Sequence, residues 1–215
     1  MHRFAVATAC VALLPIVVGA LVTTLNAGMA FRDWPTSDGH NMFLYPWLQS
    51  AGAKFVEHGH RLAGALIGLV CISFVAVVQG RERRRWVRWT AWAVLLGVIA
   101  QGLLGGGRVR MDDRVLAMLH GSFASLVFAL MTFVALATSR GWHECGRLHE
   151  QSAGRLKPLA ILTAALVFAQ YVLGGTLRHL GMSLYEHIAL AALVLIAVCV
   201  LVVAALLNGS PWLRR

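Results

Sequence analysis

Charge is what this chain has least of. Only 13% of its 215 residues are Asp, Glu, Lys or Arg, and only nine of those are acidic. A soluble domain is about 25% charged and about half apolar. Here 59% of residues are hydrophobic and the mean hydropathy is +0.71. A soluble globular enzyme is thereby excluded, and so is a disordered chain. Cysteine is scarce too: four Cys in 215 residues make no disulfide framework. The alternating pattern of barrel strands is missing, and the apolar runs are too long for it.

What is present is a set of six apolar stretches, over residues 4–24, 62–78, 89–104, 115–137, 158–177 and 187–207. A spanning helix needs about 20 apolar residues, and lipid offers the backbone no partners, so helices are the economical reading. The expected fold is therefore all-α: a polytopic membrane protein with six transmembrane helices. Allowing for their ends, the helices are placed over about 4–24, 57–78, 87–106, 115–137, 158–177 and 186–207. The first run is longer than a typical signal-peptide core and no clear Ala-x-Ala site follows it, so it is read as retained. The absence of an Arg- and Ser-rich leader favours a bacterial plasma membrane.

The net charge is +10. With the N-terminus inside, one side holds Arg3, Arg81, Arg83, Arg84, Arg85, Arg88, Arg140, Arg147, Arg155, Lys157, Arg214 and Arg215. The other holds Arg32, Lys54, Arg61, Arg108, Arg110, Arg114 and Arg178. This bias puts both termini in the cytoplasm. The arginine excess then encodes topology, not nucleic-acid binding, and the run Arg81-Glu82-Arg83-Arg84-Arg85 reads as a stop signal that contacts lipid headgroups. The long outer loop, 25–55, contains Asp33-Trp34-Pro35 and is rich in aromatic residues, which suits the membrane interface.

The chain also repeats itself. Gln101-Gly-Leu-Leu104-Gly105-Gly106 and Gln170-Tyr-Val-Leu173-Gly174-Gly175 share Q-x-x-L-G-G, and each is followed by an arginine, Arg108 or Arg178. His120 and His187 then open the next helices in H-x-x-x-A. A looser copy pairs Val18-Gly19 with His60-Arg61-Leu62-Ala63-Gly64. The unit is a helical hairpin with Gly near the outer end of its first helix and His near the outer end of its second. Small residues let helices approach; they also clear room for a flat ligand beside a histidine. Both readings hold together.

Of the nine His, His2, His143 and His149 read as solvated, His40 as a loop residue, His58 as pointing away from the face of Glu57 and His60, and His179 as interfacial. His60, His120 and His187 are different, because three polar residues in register inside spanning helices face a bundle interior. Two facing imidazoles in a helical bundle suit haem iron. Zinc suits them less, because no Cys or carboxylate cluster completes a tetrahedral shell. No Cys-x-x-Cys-His motif is present, so such a haem is non-covalent. Cys10, Cys71 and Cys199 read as small apolar residues and Cys145 as reduced. Glu57 lies three residues before His60, on the same helix face. It has two readings, a structural partner of an Arg or His and a proton-transfer group. Arg61 suits an anionic propionate.

Together, Glu57-x-x-His60-Arg61, the Leu-Gly-Gly before the fourth helix, the H-x-x-x-A within it, and Asp33-Trp34-Pro35 resemble the heme A synthase family, over most of the chain. The resemblance implies a membrane oxidoreductase that converts the C8 methyl of haem O to a formyl group by successive hydroxylations. It implies Glu57 as the catalytic acid, and His60 and His120 as axial ligands of the substrate haem iron. His187 becomes a ligand of a haem b cofactor, and Arg61, Arg108 and Arg178 propionate or secondary contacts. The family has two four-helix halves. This chain then corresponds to a member lacking the last two helices, so the second haem site is incomplete. Residues 1–138 are the four-helix haem-binding half, 139–157 a cytoplasmic linker, and 158–215 a partial second half formed by one extra hairpin. Ile188 replaces an Arg often found after the His187 position, and the outer loop lacks the Cys pair of some members. Implied partners are haem O, haem O synthase, the cytochrome oxidase assembly route, the lipid bilayer and a second copy of the chain, with no nucleic acid. The alternative is a non-catalytic haem b protein that transfers electrons or escorts haem.

Overall fold

The computed structural model describes residues 1–145 and 150–207. Expectations on Arg147, His149, Arg214 and Arg215 lie outside the described residues, as do those on the side chains of His143, Cys145 and Arg155. The described residues form seven helices: α1 (His2–Thr24), α2 (Gly52–Arg81), α3 (Arg85–Met111), α4 (Arg114–Ala137), α5 (Arg140–Cys145), α6 (Glu150–Leu180) and α7 (Leu184–Leu207). All but α5 are long and apolar enough to cross a membrane, so the six-span reading holds. The helices run past the apolar stretches because polar residues at the ends keep turning until something stops them. Between α3 and α4 that stop is local: Asp112 takes a left-handed conformation at φ 49°. The Asp113 carboxylate then accepts from the Val115 and Leu116 N–H groups at 2.6 and 3.0 Å, satisfying orphan donors of the first turn. Residues 140–145 and 150–157, read from sequence as linker, are helical, and Pro158 lies inside α6.

The chain divides into two compact units, Met1–His143 and Glu144–Arg215. In the first, α1 packs on α2 and α4, and α3 on α2 and α4, closing a four-helix ring. Its apolar core occupies one end. Ala5, Ala9 and Ala12 come from the start of α1, Cys71, Phe74, Val75 and Val78 from the end of α2, Val87, Ala91 and Val94 from the start of α3, and Met131 and Val134 from the end of α4. These recur at three- and four-residue steps, one stripe per helix. Small residues on α1 allow close approach where lipid supplies no hydrophobic drive. The N-terminal ends of α2 and α4, which carry His60 and His120, lie at the other end of the ring. In the second unit α6 and α7 form a hairpin, and no described residue of α7 is buried.

Candidate functional site

The His60 and His120 rings face each other with centroids 6.2 Å apart and planes at 89°. Each ring lies in a glycine notch. A Cβ on Gly19 would stand 2.9 Å from His60 Cε1, and one on Gly105 would stand 3.0 Å from His120 Cε1. In the second unit the same holds for Gly174 and His187, at 3.1 Å. The repeat is thus a packing unit: the glycine is bare because an imidazole from the next helix lies on it. Gln101 completes the unit. Its carbonyl accepts from His120 Nδ1 at 3.1 Å, while its Nε2 donates to the His120 carbonyl at 3.0 Å. A carbonyl only accepts, so Nδ1 carries the proton in this bond. Such a second bond fixes the tautomer and orientation of a metal-binding His. His60 Nδ1 is buried without a well-formed hydrogen bond.

The donor set fits haem iron. Two imidazoles from facing helices, with centroids 6.2 Å apart, are the donor type that haem iron takes. His187 has a related but unequal setting. Gln170 Nε2 donates to the His187 carbonyl at 3.0 Å and also lies 3.4 Å from its Nε2, while His187 Nδ1 is buried without a hydrogen-bond partner. Arg178 lies in the last turn of α6.

The structure gives Glu57 a definite set of partners. Its side chain is buried, the residue being 3% exposed. Oε1 pairs with Arg61 Nη2 at 2.8 Å. Oε2 accepts from the Ala30 and Phe31 N–H groups at 2.7 and 3.2 Å. Arg61 Nη1 donates to the carbonyls of Asp33 and Thr36, at 2.9 and 2.7 Å. Arg108 Nη2 donates to the Gly28 carbonyl. Both outer-end arginines of this unit, read from sequence as propionate contacts, therefore hold the loop between α1 and α2. Glu57 holds the same loop, and these buried loop carbonyls and N–H groups need such partners.

Sequence reading missed the rest of this loop anchor. Trp34 lies on Gly106, where a Cβ would stand 2.2 Å from Trp34 Cδ2. The two glycines of Leu-Gly-Gly thus have separate jobs, Gly105 for His120 and Gly106 for Trp34. His58, read as pointing away from the site, is 1% exposed. It shares a hydrogen bond with Ser37 Oγ at 3.1 Å and packs beside Phe31, Tyr45 and Trp47. Asp33 accepts from the Asp38 and Gly39 N–H groups at 3.0 and 2.9 Å. Partial burial raises its carboxyl, but bonds from the Thr36 side chain and these N–H groups outweigh that and hold it below its ordinary value. The motif Asp33-Trp34-Pro35 was the available signal; its contacts were not readable.

This arrangement makes a sharp demand at Gly106. Gly106→Ala is expected to expel Trp34, because a 2.2 Å contact with a rigid ring cannot relax by rotation. Limited proteolysis of the loop should then accelerate at least about tenfold, a loss on the order of 1.4 kcal/mol of local stability. An unchanged cleavage rate would show that Trp34 does not anchor the loop.

Residues 46–189 match a family model described as cytochrome oxidase assembly protein. The chain is 31% identical over 197 residues to the heme A synthase of Symbiobacterium thermophilum, covering 86% of this chain and 61% of the relative. It is 30% identical over 161 residues to that of Cereibacter sphaeroides, covering 70% and 37%. To that of Geobacillus kaustophilus it is 29% identical over 149 residues, covering 68% and 45%. The chain therefore spans less than two thirds of the length of these relatives. No solved structure matches it. Six apolar helices and these bacterial relatives make it a multi-pass protein of the bacterial plasma membrane. On the match over residues 46–189 and the identity across most of its length, the chain belongs to the heme A synthase family of cytochrome oxidase assembly proteins.

Proposed function

We propose that this chain acts in haem A formation, oxidising the C8 methyl of haem O to a formyl group, with haem O held between His60 and His120. The observation that carries the reading is the pair of facing imidazoles with centroids 6.2 Å apart, each in its own glycine notch. Haem O synthase is the proposed supplier of substrate, and the cytochrome oxidase assembly route the proposed consumer of product.

Two hydroxylations are required. In each, the carbon loses a proton and passes two electrons to an external acceptor, and a water adds its oxygen to that carbon while releasing one proton. The second yields a gem-diol, which loses water to leave the aldehyde. The residues of this chain supply position and proton handling. His60 and His120 would hold the haem through its iron. Gln101 orients His120 through its bonds to the His120 Nδ1 and carbonyl. Glu57 is the proposed acid–base group. Its two oxygens accept three bonds, two at Oε2 and one at Oε1, which leaves one acceptor site on Oε1 for a proton from water. Arg61 and Arg108 place positive charge at the outer end, where propionates would lie. In the second unit His187 is the proposed ligand of haem b, which would supply electron transfer; Gln170 must first turn away from its Nε2.

The three bonds by which Glu57 holds the loop and Arg61 also favour a second reading, a haem b protein that transfers electrons or escorts haem, in which Glu57 only anchors the loop. One experiment separates them. The full chain is expressed with a haem O supply and the extracted haems are resolved by mass. The alcohol and haem A are expected above the empty-vector control. Bound haem with haem O alone as product would overturn the synthase reading. Glu57→Gln should keep the Soret band and lose about 100-fold or more of product, the scale of acid–base catalysis. Normal product from that variant would reduce Glu57 to a loop anchor.

A further inference from the structure

At the end of the bundle away from the loop, the arginines from Arg81 to Arg88 are not equivalent. Arg84 is fully engaged. Its Nε and Nη2 donate to Glu82 at 3.0 and 2.9 Å, and its Nη1 donates to the Ala137 carbonyl at 2.9 Å. It also lies over the Trp86 ring at 5.4 Å. The hydrogen bond from Arg84 holds the Glu82 carboxyl down at about 2, so this pair cancels. Arg88 is oriented without being neutralised. Its Nε donates to Gln79 Oε1 at 2.8 Å, and Gln79 Nε2 donates back to the Arg88 carbonyl at 3.2 Å. A neutral amide holds the guanidinium in one place and leaves its charge intact. Arg85, three residues earlier and so on a neighbouring face of α3, is exposed. Among the described residues neither Arg85 nor Arg88 forms an ion pair.

Gln79, Arg85 and Arg88, with Trp89 and Trp92, line a cleft of about 270 Å³. The two indoles are 69% and 41% exposed, while Ala91 and Val94 of the same helix turns are buried in the bundle. The cleft therefore opens on the outer surface of a spanning helix, which faces lipid. Trp prefers the headgroup level, with an apolar ring toward the chains and an N–H donor toward the phosphates. A fixed guanidinium, a second cation beside it and two indole N–H groups form a donor set with no acceptor of matching charge. A phosphodiester supplies that acceptor and is bound by arginine through paired hydrogen bonds. We propose that this cleft binds the phosphate of an anionic phospholipid, reached from the bilayer between the ends of α2 and α3. The inference is independent of the haem chemistry.

The test uses the full chain in nanodiscs and brominated lipids, which quench nearby indoles. The Trp89 signal is wild-type emission minus that of Trp89→Phe. Brominated phosphatidylglycerol should quench it at about five times lower mole fraction than brominated phosphatidylcholine, the scale of one arginine near an anionic surface. Arg85→Gln and Arg88→Gln should each remove most of that preference, and Gln79→Leu, which keeps all charges, should weaken it. Arg83→Gln, in the same run but outside the cleft, should leave it intact. Equal quenching by the two lipids would overturn the proposal. So would an Arg83→Gln effect as large as that of Arg88→Gln, which would mean diffuse attraction. Loss of the preference with millimolar inorganic phosphate would assign the cleft to a soluble anion and overturn the lipid assignment.

Discussion

His120→Ala is expected to abolish the low-spin spectrum of haem bound through two imidazoles, and His60→Ala to do the same. The two effects should be equal, because the ligands sit in equivalent notches on equivalent hairpins and face each other at 6.2 Å. Losing a residue that merely supports a ligand costs about 10–100-fold in affinity. Losing the ligand itself should exceed that, leaving a high-spin or empty protein at haem concentrations that saturate the wild type. His40→Gln is the control. That histidine is exposed in the loop, where its Nδ1 shares a hydrogen bond with the Asp38 carbonyl and its ring lies edge-on to Tyr45. Spectra taken on protein of matched monodispersity decide the matter. A His120→Ala variant with an unaltered low-spin spectrum would remove the paired-imidazole site.

Arg61→Gln should destabilise the first unit by about 3–5 kcal/mol, the cost of stranding one member of a buried ion pair. The partner left behind is Glu57, and the side chains of the pair are 7% and 4% exposed. The loss is compounded because Arg61 also serves the Asp33 and Thr36 carbonyls. The double variant Glu57→Gln with Arg61→Gln should recover part of the loss, since no charge is then stranded. Thermal unfolding of the four variants in one detergent gives the coupling directly. A single-variant loss below about 1 kcal/mol would match an exposed pair and contradict the buried clamp.

Much of this molecule was legible in one dimension. Spanning helices in lipid have a single backbone solution, so six long apolar runs could become little else. The hairpin repeat was visible for a similar reason: Gln101 with Gly105 and Gln170 with Gly174 carry the same spacing. His60, His120 and His187 stood out because a polar group inside a span is expensive. Arg61 and Arg108 were harder. Their type allows a propionate as readily as a carbonyl, and only the path of the loop between α1 and α2 shows which carbonyls lie within reach.

The amino-acid sequence by itself determined the number of spans, the repeat and the identity of the paired histidines. These follow from local composition and periodicity, which the bilayer reads one helix at a time. Only the tertiary structure decided what the glycines and the charges at the outer end are for. Gly105 makes room for His120, and Gly106 for Trp34. Glu57, Arg61 and Arg108 meet the backbone of a loop that is 20 to 80 residues away along the chain. Such contacts depend on which helices adjoin, and that is a property of the closed ring of four helices.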